Sequence, residues 1–509
     1  MRHWHVLLAL LLAIAPSGAR AQQPAPPAPL VDPCPVAADP RWTEQEIFVW
    51  ERVCVGDFAN FNTAPGYGGT LDPKKPDRWP QNRVLRPDFL KTILLNERYR
   101  RALTWHGVGI VGARFTETID LEDAELQHRF GLFSSLLEKG AALSRLRSQH
   151  PVTFMGSRVA GKLNMNGLHL DASLIMRGGA EFDEVELTNA HVGGQLQLVG
   201  SKVTGKLNMN TVRVDGHLLM RDKGEFAEVD LAGARISGDI ELTGSKVTGD
   251  VNCYGLVTER QIFLNRATFD GRIDCGTARV RGSLFLDDSQ FSQNVDFSGA
   301  DIGGVLSLGQ ARWSTGAALI LRASRTAAIP DLARGWPPRL DVVGFTYLRT
   351  ASVDGFESWF RRLDRYAPQP YHQLASVVES QGKRPLATAI RYSGRERERA
   401  EAKGGQWVWL TALKWIIGYG YYPYFAIYWA IGLVIVGAVV LRISGEGPRN
   451  GMPYGLAYSF DILLPIVRLR DRHHQIDLKS WARYYFYCHR IMGYVLASFL
   501  VAGLSGLTK

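Results

Sequence analysis

The chain has 509 residues, of which 46% are hydrophobic, so it is long enough to bury several hydrophobic cores. Its 59 basic and 49 acidic residues give a net charge of +10, and residues 391–509 alone hold 15 Lys/Arg against 7 Asp/Glu. Because this basic excess coincides with the most apolar part of the chain, it indicates membrane topology and lipid headgroups and argues against a nucleic-acid partner.

The first 33 residues predict a targeting segment and a linker. Arg2 precedes an apolar run over 6–15, which is followed by small residues. This order is typical of a cleaved signal peptide at 1–21, with a Gln/Pro/Ala-rich linker at 22–33. A retained membrane anchor is the alternative, but the apolar run is short for a span. We therefore expect the mature chain to lie in an oxidising compartment.

Residues 34–103 predict a small helical domain that covers the first coil of the repeat behind it. Segments 42–54 and 86–95 each place apolar residues at helical spacing. A helical cap is expected because an open end of a repeat fold would expose its core and its unpaired strand edges. Cys34 and Cys54 bracket part of this domain, which predicts a disulfide, with two free thiols as the alternative.

A repeat of 11 residues dominates the chain over 104–322. Between Val108 and Leu308, an apolar-x-apolar triplet recurs 19 times without an insertion or a deletion. Alternation with a period of two is typical of a strand, and a helix with a period of 3.6 does not fit it. A further apolar residue stands four positions before many of the triplets. Each 11-residue step therefore buries about three side chains.

A longer repeat sets the size of one coil. Related segments begin at residues 156, 200 and 244, so four steps make one duplicated unit of 44 residues. A 44-residue coil would enclose more volume than these side chains fill, whereas 22 residues suit close-packed Val, Leu and Met. The sequence thus predicts a mainly β fold: a parallel β-helix with 22-residue coils and an 11-residue half-coil period. About nine coils at the ~4.8 Å strand spacing make a rod roughly 45 Å tall.

Three motifs within the repeat invite a chemical interpretation, and we expect each to be structural. Gly107-Val-Gly109-Ile-Val-Gly112 matches a dinucleotide-binding fingerprint, but the next triplet leaves no room for the helix which that fingerprint requires. Recurring acids at 183–186 and 228–230 are either solubilising charges or a polysaccharide-cleaving site. Cys253 and Cys275 lie one coil apart and are expected to fill the core as free thiols, with a disulfide between them as the alternative. No motif indicates a metal, a cofactor or a catalytic residue.

Residues 323–404 predict a linker and a helical hairpin, and residues 405–509 predict a membrane domain with two spans. Trp415–Leu441 has no charged residue and begins with several aromatic residues, as expected of a transmembrane helix. Ile491–Thr508 predicts the second span. Between them, residues 452–467 are apolar but too short to cross a membrane, which predicts a re-entrant or interfacial segment.

Four residues of this intervening segment are candidates for a function in the membrane domain: Tyr458, Ser459, Asp461 and Pro465. Asp461 is an acid in an otherwise apolar segment, and such acids within membranes are commonly functional. The layout of helix, half-apolar segment and helix is similar to that of small ion channels. The basic residues of loop 442–483 predict a cytoplasmic loop and a periplasmic solenoid.

The chain resembles a family of bacterial β-solenoid (pentapeptide-repeat-like) proteins with a carboxyl-terminal two-span module, commonly labelled membrane-associated oxidoreductases. The resemblance rests on the ladder and on PYHQLA at 370–375, GYGYYP at 418–423, YSFDILLP at 458–465 and VAGLSG at 501–506. The label implies redox chemistry, but the family supplies no catalytic residues to carry over. The family usually has an acidic residue after Pro-x-Val, whereas this chain has Arg468 at that position. This departure counts against ion conduction.

Three functions are compatible with this organisation. The first is an inner-membrane-anchored periplasmic solenoid that acts as a binding or scaffold module for a protein or an envelope glycan. The second is an oligomeric, ion-channel-like protein whose solenoid is a sensor. The third is an enzyme that acts on an envelope polysaccharide. We favour the first, because the ladder leaves its outward positions free for binding and supplies no catalytic set. The expected partners are the lipid bilayer and, for a channel, further copies of the chain.

Overall fold

The computed structural model describes residues 34–504 except 423, 453, 465, 466 and 468. Its centre is a parallel β-solenoid of about 11 turns, with helices at its amino and carboxyl ends. The predicted 22-residue coil is confirmed, since Val108 pairs with Phe130, and Phe130 pairs in turn with Val152. The signal peptide and linker expected at 1–33 lie outside the described residues.

Each coil contains two 11-residue steps and has four sides, because every step contributes two sides. The triplet supplies one side, and the apolar residue four positions before the next triplet supplies the following side. The inward residues of the first coil are at most 2% exposed: Val108, Ile110, Phe115, Ile119, Leu121 and Leu126. Alternate residues of a strand point to opposite faces, so the residues between them project outward.

Three sets of parallel strands, named walls A, B and C, run along the rod, and wall B covers two sides of each coil. Wall A contains Ala59–Asn60, Val108–Val111, Phe130–Phe133, Val152–Thr153, Leu174–Ile175, Leu196–Gln197, Leu218–Leu219, Ile240–Glu241, Ile262–Phe263 and Leu284–Phe285. Wall B contains Arg114–Phe115, Ile119–Asp120, Leu136–Leu137, Ala141–Ala142, Arg158–Asn164, Glu181–Glu186, Lys202–Asn208, Glu225–Asp230, Lys246–Val247, Val251–Asn252, Thr268–Phe269, Ile273–Asp274, Gln290–Phe291, Val295–Asp296, Arg312–Trp313, Ala318–Ile320 and Arg339–Asp341. Wall C contains Glu125–Leu126, Arg147–Ser148, His169–Leu170, His191–Val192, Arg213–Val214, Arg235–Ile236, Val257–Thr258, Arg279–Val280, Asp301–Ser307, Arg325–Ile329 and Thr346–Thr350, and Asp301–Ser307 also pairs with wall A.

Polar side chains close one corner of the coils. The side-chain oxygen of Asn208 accepts a hydrogen bond from the N–H of Asn210 (3.2 Å), and its amide nitrogen donates to Glu186 of the previous coil (3.2 Å). Asn252 donates in the same way to Asp230 (3.1 Å). Such contacts to the backbone two residues ahead stabilise a tight turn. The asparagines that recur every 44 residues therefore alternate with acids in one column.

Three helices cap the first coil: α1 (Glu44–Val53), α2 (Pro87–Leu95) and α3 (Glu97–Arg100), with 3₁₀ turns at Pro76–Arg78 and Gln81–Arg83. The short strand of this domain extends wall A, pairing Ala59 with Ile110. It therefore covers the strand edge that the first coil would otherwise leave unpaired.

The cysteines of the cap and the rod differ in their bonding. Cys34 and Cys54 form a disulfide whose Cα atoms are 5.5 Å apart. Cys253 and Cys275 are buried free thiols inside the rod, as expected from their position in the triplets. Burial raises the pKa of the Cys275 thiol, and the neighbouring Cys253 adds to this effect, so Cys275 stays protonated and unreactive.

The rod continues past residue 322, where the 11-residue period ends. Two residues are inserted between Trp313 and Leu319, because Phe291 still pairs 22 positions ahead, with Trp313, whereas Val295 pairs 24 positions ahead, with Leu319. Parallel pairing then continues to the final strand, Thr346–Thr350. The insertion breaks the period of the sequence but not the pairing of the strands, because backbone pairing does not require coils of equal length. The last coils therefore cannot be found by periodicity. The rod consequently has about 11 turns where the sequence predicted about nine.

The carboxyl-terminal end of the rod is covered by α4 (Phe356–Arg361), α5 (Pro368–Ser380) and α6 (Arg384–Glu401). Three glutamine amides, two of them on α5, donate to backbone oxygens at this end: Gln369 to Phe345 (3.0 Å), Gln373 to Tyr347 (2.7 Å) and Gln381 to Thr350 (3.0 Å). The predicted hairpin of α5 and α6 is therefore also the second cap of the solenoid.

The remaining helices are α7 (Gly405–Ile417), α8 (Phe425–Ile443), α9 (Glu446–Arg449), α10 (Leu456–Leu463), α11 (Asp471–Gln475) and α12 (Ala482–Leu504). The expected span Trp415–Leu441 is not one helix. Gly418, Tyr419 and Gly420 adopt positive φ angles of 53°, 58° and 86°, which end α7 before α8 begins. Among the described residues, α8 is the one helix long and apolar enough to cross a membrane. A second span at Ile491–Thr508 remains a prediction.

Candidate functional site

The acids that recur on wall B form ion pairs across neighbouring coils. Lys162 Nζ lies 2.9 Å from Glu184 and 3.5 Å from Glu186. Lys206, 44 residues ahead, makes the same two contacts with the duplicated acids, at 3.2 and 3.1 Å. These carboxylates therefore link successive coils, an arrangement that gives no support to a polysaccharide-cleaving site on this wall.

The glycine motif at 107–112 belongs to the first coil. Its strand, Val108–Val111, is followed by the strand Arg114–Phe115, so no helix amino terminus is available to bind a phosphate. A Cβ atom at Gly107 would overlap the backbone of Arg129, and one at Gly109 would overlap the ring of Phe58. Close packing of the backbone accounts for these glycines.

The outward residues of wall C form a row that we call the basic column: Arg147, His169, His191, Arg213, Arg235, Val257 and Arg279. Glu125 precedes the row and Asp301 follows it. Its four arginines are exposed. Arg147, Arg235 and Arg279 form no ion pair with any residue that the structure describes, although Arg279 interacts electrostatically with the adjacent Asp301, so the column carries an excess of positive charge.

The centre of the basic column holds its histidines and two carboxylates. The Nδ1 atoms of His169 and His191 are 3.3 Å apart, and His191 Nε2 lies 2.8 Å from Asp215. Asp215 also accepts from Arg213 (2.9 Å), while His169 Nε2 lies 3.3 Å from Asp171. Burial opposes ionisation of Asp215, but the hydrogen bonds from His191 and Arg213 outweigh it and lower its pKa.

The helices α8, α10 and α12 meet at glycines. A Cβ atom at Gly437 of α8 would overlap the side chain of Ser459 on α10. A Cβ atom at Gly493 of α12 would overlap the carbonyl oxygen of Leu463, at the end of α10. Small residues at such crossings allow helix backbones to approach closely in a membrane. The half-apolar segment is thus a short helix packed between two long ones.

Asp461 of α10 is fully buried, and its contacts are with the segment that follows this helix. Its carboxylate accepts from the backbone N–H groups of Leu469 (2.9 Å) and Arg470 (3.2 Å), and it contacts His473 Nδ1 (2.9 Å). His474 Nε2 lies 3.6 Å from the other carboxylate oxygen. Both oxygens are therefore used to hold the loop that follows α10.

The other candidate residues of α10 are also buried. His489 Nε2 of α12 lies 2.9 Å from the carbonyl oxygen of Ser459 and 3.5 Å from its hydroxyl. Tyr485 contacts the second nitrogen of His489 at 3.3 Å. Tyr458 packs its ring against Phe486. Tyr458 and Ser459 thus contact α12, whereas Asp461 contacts the loop after α10, and Pro465 lies outside the described residues.

Glu446 is a buried residue of this domain that the sequence did not indicate. One carboxylate oxygen accepts from the N–H groups of Lys479 (3.1 Å) and Ser480 (3.0 Å), just before α12, and the other accepts from the amide of Asn450 (3.1 Å). Its backbone partners lie 33 and 34 positions away. A single acid beside glycines carries no sequence pattern that would reveal such partners.

The helices that cap the solenoid are joined to the remaining carboxyl-terminal helices through polar contacts between α6 and α7. Glu396 of α6 accepts from Lys414 Nζ (2.7 Å) and from the hydroxyl of Tyr419 (2.5 Å), beside the turn that ends α7. Burial opposes ionisation of Glu396, but the hydrogen bonds from Lys414 and Tyr419 outweigh it, so its pKa is lowered.

No family model, no curated protein and no solved structure matches the chain. The fold is therefore assigned from the geometry of its own coils, and the label of membrane-associated oxidoreductase is not carried over to it.

Proposed function

We propose that the chain is a membrane-anchored β-solenoid that binds an acidic partner along the basic column. The unpaired arginines of that column are the observation that carries the proposal. Five consecutive coils, from Arg147 to Arg235, present a basic or histidine side chain in one register. At the ~4.8 Å strand spacing this row spans roughly 19 Å. A linear array of this kind fits an extended anionic polymer, such as an acidic envelope glycan, better than a compact ligand.

The exposed apolar side chains of the carboxyl-terminal helices support anchoring in a bilayer. Large apolar residues that are at least 46% exposed are concentrated on α7 and α8: Trp407, Val408, Trp409, Trp415, Ile427, Tyr428, Trp429, Ile431, Ile435, Val436, Val439 and Ile443. On α12 they include Tyr484, Tyr487, Ile491 and Val501. An apolar surface of this extent is unfavourable in water and favourable against lipid. We infer that α8 and α12 both span the membrane and that α7 lies at its surface.

The proposed location is the bacterial inner membrane, with the solenoid in the periplasm. The basic loop between α8 and α12 supports this orientation, because positive residues favour the cytoplasmic side. Protease added to intact spheroplasts should cleave the solenoid. Protection of the solenoid in intact spheroplasts, with cleavage only after lysis, would refute the orientation.

Ion conduction is the weaker proposal. A pore-lining acid needs a carboxylate that faces the pore, whereas both oxygens of Asp461 are used within one chain. Two spans enclose a pore only in an oligomer, so a monomer in detergent, measured by light scattering, would exclude a channel.

Binding at the basic column is tested with full-length protein in detergent and a fluorescent polyuronate, with neutral dextran as the uncharged probe. Replacing Arg147, Arg235 and Arg279 by Ser should weaken binding roughly ten- to a hundredfold at low salt. The matched control replaces three exposed, unpaired cations at the corner between walls A and B by Ser: Arg177, Lys223 and Arg266. Equal losses in the two triple variants, or binding of dextran as strong as that of polyuronate, would refute the proposal.

A further inference from the structure

A cavity of about 210 Å³ opens on the loop side of the membrane domain, away from the basic column. It lies between the start of α10 and the segment around α11. The first turn of α10 and three basic side chains line it from opposite sides: Gly455, Leu456, Ala457, Arg470, Arg472 and His473. The proposed binding of an acidic polymer by the solenoid makes no use of this cavity.

The two arginines of the cavity have free side chains. Arg470 contributes its backbone N–H to Asp461, which leaves its guanidinium available. Within the described part of the chain, neither Arg470 nor Arg472 forms an ion pair, and the intervening Asp471 contacts neither guanidinium. A guanidinium presents a planar set of N–H donors that matches the oxygens of a phosphate.

The opposite side of the cavity is the amino terminus of α10. Gly455 precedes the helix and has no side chain to accept a hydrogen bond from it. The first N–H groups of a helix have no partner within it, so the donors of Leu456, Ala457 and Tyr458 need an acceptor from elsewhere. They also form the positive end of the helix dipole.

His473 adds a third basic side chain to the cavity. Its side chain is 8% exposed and lines the cavity. Asp461 holds Nδ1 at 2.9 Å, and Nε2 has no hydrogen bond to any residue that the structure describes. Nε2 is therefore available to an oxygen acceptor in the cavity when the imidazole is protonated.

We propose that this cavity binds a phosphate group through Arg470, Arg472, His473 and the amino terminus of α10. A volume of about 210 Å³ is sufficient for a phosphate group. The phosphate belongs either to an anionic lipid headgroup, which the adjoining membrane helices would present, or to free phosphate. Both sources share the same chemistry, since the recognised atoms are the phosphate oxygens.

The test uses purified full-length protein. In one arm, protein in detergent is titrated calorimetrically with inorganic phosphate. In the other, native mass spectrometry counts phosphatidylglycerol molecules retained by the protein, with phosphatidylcholine as the zwitterionic control. Arg470→Gln with Arg472→Gln is compared with Arg442→Gln plus Arg449→Gln, which removes two charges from the ends of α8 and α9 but not from the cavity. Circular dichroism verifies that each variant is folded.

Replacing Arg470 and Arg472 should weaken binding of the probe about a hundredfold, whereas the control substitutions should weaken it less than threefold. If the Arg470/Arg472 variant loses binding of inorganic phosphate, the site is assigned to free phosphate. If it selectively loses retained phosphatidylglycerol, the site is assigned to a lipid headgroup. The proposal is overturned if the protein binds neither probe, or if the two double variants lose affinity equally. His473→Gln supplies a second measurement, since this variant keeps both arginines and should still bind the same probe more weakly.

Discussion

Replacing Glu46 by Gln should loosen the amino-terminal cap while leaving the rod intact. The Glu46 side chain is fully buried, and its carboxylate accepts from the N–H groups of Thr43 (3.0 Å) and Arg86 (3.1 Å). It also accepts from Nε of the Arg86 guanidinium (2.9 Å). These contacts join the first turn of α1 to the residue before α2. A glutamine would keep one oxygen acceptor but turn an NH₂ group toward the other donors.

The size of the effect follows from these contacts. A hydrogen bond to a charged group contributes about 1.5–3 kcal/mol, and the substitution removes the charge from all of them. The side chain of Arg86 is 53% exposed and regains water when its partner is lost, which reduces the cost. We expect a local destabilisation of about 2–3 kcal/mol, or roughly a 30- to 150-fold increase in the opening of α1.

Hydrogen exchange of the α1 amides measures this opening, with the strand Leu196–Gln197 as an internal reference. Burial opposes ionisation of Glu46, but its hydrogen bonds from Arg86 and Thr43 outweigh it and hold its pKa below the usual 4.5. The stabilisation is thus complete above about pH 4.5 and is lost as the pH falls through the lower folded pKa. Glu46→Gln should lack this acid sensitivity, whereas the exposed Glu51→Gln on the same helix should retain it. Unchanged exchange of α1 at pH 7 in Glu46→Gln would refute the reasoning.

Three other substitutions test the packing. Gly493→Val should prevent α12 from contacting the end of α10 and lower the yield of folded protein in detergent. Gly432→Val on α8 should not, because no described atom outside the backbone of its own helix lies within 4 Å of the added Cβ. Equal yields would contradict the close crossing. Leu196→Ala, at a fully buried position, should cost about 2–5 kcal/mol in urea unfolding, and a smaller loss would show that the coil can collapse around the gap. Replacing Cys34 and Cys54 together by Ser should lower the stability of the cap by about 3 kcal/mol, detected as faster exchange of α1, and unchanged exchange would show that the disulfide is dispensable.

The 22-residue coil of the solenoid could be predicted because every coil in the stack buries side chains at the same inward positions. The inward positions from Val108 to Leu308 must alternate with outward ones and must recur at the coil length, so the pattern is written in the sequence itself. The same reasoning located the glycine motif at 107–112 within a coil and Cys253 and Cys275 within the core. The predicted rod ended where the coils became unequal in length, so the later strands, up to Thr350, were not predicted.

The candidate site was predictable only in part. Asp461 is conspicuous as an acid in an apolar segment, and Tyr458 and Ser459 stand beside it. Their partners on α12 and in the loop after α10 are not conspicuous, because no periodicity relates side chains on different helices.

The sequence by itself determined the 22-residue coil, the helical amino-terminal cap, the helical hairpin after the rod and an apolar carboxyl-terminal domain, since these depend on local alternation and on composition. Only the tertiary structure decided that α7 and α8 are separate helices, that Glu446 anchors the start of α12, and that unpaired arginines line up on wall C. These features depend on how distant segments meet. Hydrogen bonds and close glycine contacts between such segments leave no repeating mark along the chain.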